Sequence, residues 1–400
     1  MRPKTLFNLT LATTLVFSCS NDDDIIDVPS QVVAPSTYSF ERNSVSTVSY
    51  SGQSTRILMG EQLIDGLLDP FKTEAELDAM FAHQAGENDF TDAALNASDK
   101  NIRSKTAASN DYFSANTTAA AAIKADFDGW IADQVNVVYP KWNDIASPGV
   151  AGQIQEAGGG AVRYVDEKGL ELNQAVNKGL IGALMVDQML NNYLSQSVLD
   201  AGDNRANNDA DMLDGSNNYT TMEHKWDEAF GYLYGTDDAS NPQLNQDSFL
   251  NKYLSRVEND ADYTGIAQRI YDAFKLGRAA IVAKDYVVRD EQANIIREEI
   301  SKLIGIRCVY YLQQGKIARQ SNNEGAALHD FSEGFGFIYS LQFTRQPNTD
   351  SPYYTKAEVD GLISQLMEGN GLWDVSDETL DTMSQDIATR FNLSLEEAGS

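Results

Sequence analysis

A chain of 400 residues with 42% apolar side chains can bury a large core, and its length matches two or three domains. A formal net charge of −29 opposes nucleic-acid phosphates and anionic lipid headgroups, which argues against a DNA- or RNA-binding role, while it concentrates cations at the surface. The composition is globular, and stability has to come from packing, because only Cys19 and Cys308 are present and the first is a candidate for acylation.

The N-terminus reads as an export signal. Arg2 and Lys4 precede an apolar stretch from Leu6 to Phe17, about a dozen residues, where a spanning helix needs roughly 20. Ser18-Cys19 closes it as a lipoprotein cleavage site, so that residues 1–18 are a signal peptide and Cys19 is the lipid attachment that tethers the body to a membrane. Residues 19–36 follow as a lipidated linker. Its acidic run, Asp22-Asp23-Asp24, resembles the signal by which lipoproteins of the Bacteroidota reach the outer face of the outer membrane; the periplasmic face is the alternative.

Along the body, residues 37–400, the segment from Tyr38 to Ser54 alternates Ser, Thr, Val and Tyr and reads as extended. After it the pattern is helical: Ile57, Leu58, Leu63 and Leu67 at helix spacing, a short helix over Glu74–Phe81, and an Ala-rich helix over Ala119–Val138 stopped by Pro140. Residues 143–165, with Pro148 and Gly158-Gly159-Gly160, read as a long irregular loop, a hinge or lid without the strand and Lys-Ser/Thr of a phosphate loop. Lys168 to Ser195 predicts one long helix with an apolar face broad enough to be central. Ala201–Tyr219 reads as a solvated loop, since the Gly and acid spacing of a calcium loop is missing. Helices are expected again at Phe249–Arg256, Tyr263–Ala283, Asp290–Gln314, Gly325–Phe343, Lys356–Met367 and Asp377–Phe391. No βαβ alternation occurs, so the fold class is all-α, a helical bundle. Cys308, inside an apolar run, is expected to be a buried, inert thiol, and His83 a surface residue.

One pattern occurs twice. His224-Lys225-Trp226-Asp227-Glu228-Ala229-Phe230-Gly231-Tyr232-Leu233-Tyr234 and His329-Asp330-Phe331-Ser332-Glu333-Gly334-Phe335-Gly336-Phe337-Ile338-Tyr339 share His, an aromatic, Glu, Phe, Gly and a closing Tyr, and the chain holds only three histidines. Thr220 with Glu223, and Ser321 with Glu324, suit capping boxes at the head of each copy. The duplication suggests two related halves, about 37–240 and 241–400, packed about a pseudo-twofold axis. His and Glu four apart share a helical face. If the copies converge, His224, Glu228, His329 and Glu333 form a divalent-metal set; in the other reading, the same pairs are hydrogen-bonded networks that fix helix register.

These residues, with Glu171-Leu172-Asn173-Gln174 and Lys178-Gly179-Leu180-Ile181-Gly182, resemble imelysin-like proteins, extracytoplasmic all-α lipoproteins of duplicated bundles marked by Gly-x-His-x-x-Glu. A closer resemblance is to a family of Bacteroidota lipoproteins of about this length. The departures are Met222 where the motif has Gly, and Asp227 and Ser332 at the third position after each His. The resemblance implies a surface binding lipoprotein for iron, another metal or a chelate. A glycan- or nutrient-binding lipoprotein partnered with an outer-membrane transporter is the alternative, with Trp142 and Trp373 as candidate exposed aromatics and Trp130 and Trp226 as core. A metallopeptidase is the weaker reading, because no His-Glu-x-x-His string is present.

Overall fold

The computed structural model describes residues 32–400, so Cys19 and the signal segment lie outside the described residues. Residues 32–50 run along the surface of the body with one small hairpin, β1 (Glu41–Arg42) against β2 (Val45–Ser46). Helices α1 (Ser51–Gly66) and α2 (Glu74–Phe81) follow, the second opened by a Thr73–Glu76 capping box. The short α3 (Ala93–Asn96) leads to α4 (Thr117–Asp133), which tightens through Tyr139–Lys141 where Pro140 ends it.

The expected irregular loop at 143–165 is instead an ordered β-hairpin, β3 (Gly152–Gln155) paired antiparallel with β4 (Val162–Val165). Its turn uses Gly158 and Gly159 at φ 72° and 79°, a region that a side chain disfavours, and Trp142 stacks on Tyr164 with ring centroids 3.5 Å apart. The glycines that suggest a hinge serve the turn.

Helix α5 (Leu172–Leu180) continues as π-helical segments at Ile181–Val186 and Met189–Tyr193. From 169 to 195 every residue except Gln174 is buried, so this helix is the axis of the bundle. Short α6 (Gln196–Leu199) and α7 (Asn204–Asp209) interrupt the polar stretch before α8 (Thr221–Tyr234). The remaining helices are α9 (Leu250–Glu258), α10 (Ile266–Ala283), α11 (Tyr286–Gln320), α12 (Glu324–Ser340), α13 (Lys356–Leu366), α14 (Asp377–Arg390) and α15 (Leu395–Ala398). At 35 residues α11 is on the order of 50 Å long, and α9, α10, α12 and α14 pack against it. The protein is all-α, with two small hairpins among the described residues, and no described helix is long and apolar enough to cross a membrane. Residues 32–400 form one compact unit in which α5 packs on α12 and α8 on α10, so helices before and after residue 240 interlock.

The two motif helices are seated in parallel ways. A Cβ on Gly231 of α8 would come 2.4 Å from Tyr50 Cβ, and one on Gly336 of α12 would come 2.3 Å from Lys178 Cβ. The motif aromatics also enter glycine notches: a Cβ on Gly277 of α10 would meet the Trp226 ring at 2.1 Å, and one on Gly315 of α11 the Phe331 ring at 2.4 Å. Glycine lets these backbones approach where any side chain would hold them apart. Replacing Gly277 by Ala forces the wholly buried Trp226, whose Nε1 donates to the Phe274 carbonyl at 3.0 Å, out of its seat. The expected cost is about 1–3 kcal/mol in urea unfolding; an unchanged midpoint would contradict this packing account.

Candidate functional site

Helix α8 begins with the predicted capping box: Thr220 Oγ1 accepts from the Glu223 amide at 3.3 Å and the Thr220 amide donates to Glu223 Oε2 at 2.7 Å. The second capping box does not form. Ser321 is the C-terminal cap of α11, and Asn323 caps α12 by accepting from the Ala326 amide, while Glu324 pairs with Arg319 at 2.7 Å.

The structure does not bring the four expected ligands to one point. His224 stacks on Tyr219, with centroids 4.5 Å apart, and its Nδ1 lies 3.0 Å from the Ser49 carbonyl; Glu228 accepts from Gln53 Nε2 at 3.0 Å. His329 is held by other partners: Nδ1 lies 2.7 Å from Glu171 Oε1 and Nε2 lies 3.5 Å from Glu333 Oε1. Among the described residues no group of three or more His, Cys, Asp or Glu is placed to hold a metal ion. The physical reason lies in the partners. With a carboxylate at each ring nitrogen, His329 is favoured as the imidazolium, which has no lone pair for a metal. Glu333 is already paired with the buried Lys178 ammonium at 3.3 Å.

Around Glu333 the elements converge. Lys178 comes from α5, where Gly336 allows α12 to lie against it; Tyr253 from α9 donates its hydroxyl to Glu333 Oε2 at 3.1 Å. Burial alone would raise the Glu333 carboxyl, but Lys178, His329 and the Tyr311 hydroxyl overcome it and bring the group down to about 2. Burial alone would lower His329, and the hydrogen bond and charge of Glu171, with the charge of Glu333, lift it above 6.5 instead. Burial raises the neighbouring Asp330 to about 6.

His329 and Glu333 form one wall of a cleft of about 590 Å³ whose other walls are Lys252 and Arg256 of α9 and Arg307, Tyr310 and Tyr311 of α11. The Arg307 guanidinium lies 3.9 Å from the Tyr310 ring centroid and 4.5 Å from that of Tyr311. Neither Ser332 nor Cys308 is activated as a nucleophile: Ser332 Oγ donates to the Leu328 carbonyl and accepts from the Glu171 amide, and burial pushes the Cys308 thiol well above its ordinary range. Glu171 and Lys178 belong to segments that carry the resemblance, yet their role is visible only once α5 meets α12. Lys178 and Arg307 do have a sequence signal, a cation inside an apolar run.

Cys308 is buried as expected, whereas His83 is not on the surface: it is buried, with Nδ1 2.6 Å from Asp89 and Nε2 3.2 Å from the Asn96 carbonyl. Trp226 is wholly buried, and Trp130, Trp142 and Trp373 are half-buried, so neither candidate platform stands open.

The stability contributed by this site depends on pH from both sides. The folded Glu333 carboxyl sits below its ordinary 4.5, so its contribution is present above pH 4.5 and lost as pH falls toward about 2. The folded His329 sits above 6.5, so its contribution is present below pH 6.5 and lost as pH rises through the folded value. Denaturant midpoints of wild type against His329→Gln, measured from pH 5 to 9, should differ at the acid end and converge toward the alkaline end; parallel curves would refute the assignment.

No curated protein and no solved structure matches this chain. Residues 35–394 match the family described as Domain of unknown function (DUF4856), and the chain belongs to that family.

Proposed function

We propose that this protein is a lipid-anchored binding protein of the outer membrane, exposed at the cell surface, that captures a small solute in the cleft above His329 and Glu333 and passes it to an outer-membrane transporter. The observation that carries the reading is the cleft itself, about 590 Å³ in volume against a fixed polar network, a size suited to a small ligand. The signal segment with Cys19 supplies the anchor in this reading. The parallel seating of α8 and α12 supports an imelysin-like origin in two related halves. In the iron-uptake version of the proposal the metal arrives inside a chelate, because His329 and Glu333 are already engaged by Glu171 and Lys178.

Two measurements test this. Cys19→Ala should move the protein from the membrane pellet to the soluble fraction; retention in the pellet would remove the anchor from the account. Small molecules released by denaturing the purified protein, read by mass spectrometry, should include one present at near one per chain and absent from Asn259→Trp, a substitution at an exposed rim position that fills the cleft without touching the core. Identical release from both proteins would count against the cleft.

A further inference from the structure

Arg307 is a buried cation with no carboxylate in ion-pair contact, the charge of Glu333 reaching it only from farther off. It is 5% exposed, its Nε has no hydrogen-bond partner, and no carboxylate among the described residues comes within 4.0 Å of its guanidinium. Other buried arginines find acceptors within the protein: Arg56 donates to the Asn101 and Gly52 carbonyls, both at 3.0 Å, and Arg345 to the Thr344 carbonyl at 2.8 Å. Arg278 pairs with Glu223 and Asp227, both at 3.0 Å, and Arg289 with Asp200 and Asp290 at 2.7 and 2.6 Å. Arg307 rests instead on the faces of Tyr310 and Tyr311, and Tyr253 lies 5.7 Å away. The Tyr311 hydroxyl also meets the guanidinium, but ring faces and one phenol do not supply the carboxylate partners that its planar fork can take.

Two more cations face the same space. Lys252, 5.7 Å over the Tyr253 ring, and Arg256, one turn further along α9, line the cleft and make no ion pair among the described residues. Three cations without ion pairs gather on one side of this cleft in a chain of net charge −29, which marks that side as a place to receive a negative group. The acids beside them narrow the class. Asp260, Asp330 and Glu333 share the lining, and their carboxyl oxygens are good acceptors for the several hydroxyl donors of a hydroxylated acid. We infer that the cleft binds a small hydroxylated carboxylic acid, with the ligand carboxylate on Arg307, Lys252 and Arg256 and its hydroxyls on the acidic side. This rests on the reading of the cleft as a binding site. The same chemistry is offered by a sugar acid and by a citrate-type chelate.

The test is calorimetric titration of the full chain with glucuronate, citrate and ferric citrate, with glucose and inorganic phosphate as controls. A carboxylate should bind where glucose does not, and Arg307→Met should weaken it at least tenfold. Arg256→Gln, at an exposed position that cannot disturb the core, should weaken it severalfold and keeps the test decisive if Arg307→Met fails to fold. Binding of glucuronate without citrate supports the inference with a sugar acid as source; tighter binding of ferric citrate than of citrate supports it with a chelate as source. Glucose binding as tightly as glucuronate, unchanged in Arg307→Met, overturns the acid class while leaving the cleft as a binding site. Preference for phosphate, or no binding of any carboxylate, overturns the inference; a molecule still released by wild type and missing from Asn259→Trp would then show that the cleft binds something of another class.

Discussion

Charge buried in a helical body has to meet opposite charge at hydrogen-bond distance, and this requirement organises both motif helices. In α8, Arg278 lies between Glu223 and Asp227, and Asp227 also accepts from the Tyr38 hydroxyl at 2.6 Å and the Ser49 amide at 3.1 Å. That cluster ties the N-terminal segment to α8 and α10. In α12, Glu333 joins Lys178 of α5 to His329 and, through Tyr253, to α9. A buried ion pair adds little net stability against an apolar replacement, yet removing one partner costs about 3–5 kcal/mol, so each pair strongly specifies which helix lies against which. Since the only described cysteine is a free thiol, this specificity and close packing hold the body together.

The two seats differ where the sequences differ. Asp227 gives α8 a second buried carboxylate, and it is spent on Arg278. Ser332 stands at that position in α12 and spends its hydroxyl on backbone, bonding the Leu328 carbonyl and the Glu171 amide. Helix α12 therefore brings one ionised carboxylate, Glu333, to its interior, and Lys178 claims it. Arg307 across the cleft is left to aromatic faces. The network at α8 is closed, whereas α12 faces an open, cation-lined cleft.

Much of this was legible in the sequence. The boundaries of α2 and the face of α4 follow from apolar spacing and Pro140, and the central helix follows from its nearly uninterrupted apolar positions after Leu170. The β3–β4 hairpin was not, because its glycine triplet reads equally as loop, and only the pairing of Gln153 with Tyr164 shows that the flanks are strands. The His–Glu pairs are where the repeat places them, on helical faces. What the repeat could not reveal is that Glu171 and Lys178, far away in the chain, reach His329 at 2.7 Å and Glu333 at 3.3 Å. Glu324 fits a capping box after Ser321 in sequence, but Asn323 takes the cap because α11 runs on to Gln320.

The site turns on the protonation of His329, since an imidazolium between Glu171 and Glu333 builds an ion network, whereas a neutral ring would leave a nitrogen free for metal. With only three histidines in the chain, their ring nitrogens can be resolved by NMR of the ¹⁵N-histidine-labelled protein and assigned through His329→Gln. At pH 6.5 both His329 nitrogens should show the shifts of the protonated ring, with the midpoint of titration displaced upward, and added zinc should leave them unmoved. A neutral tautomer at that pH, or a signal that shifts on zinc binding, would contradict the ion network and return the site to metal chemistry.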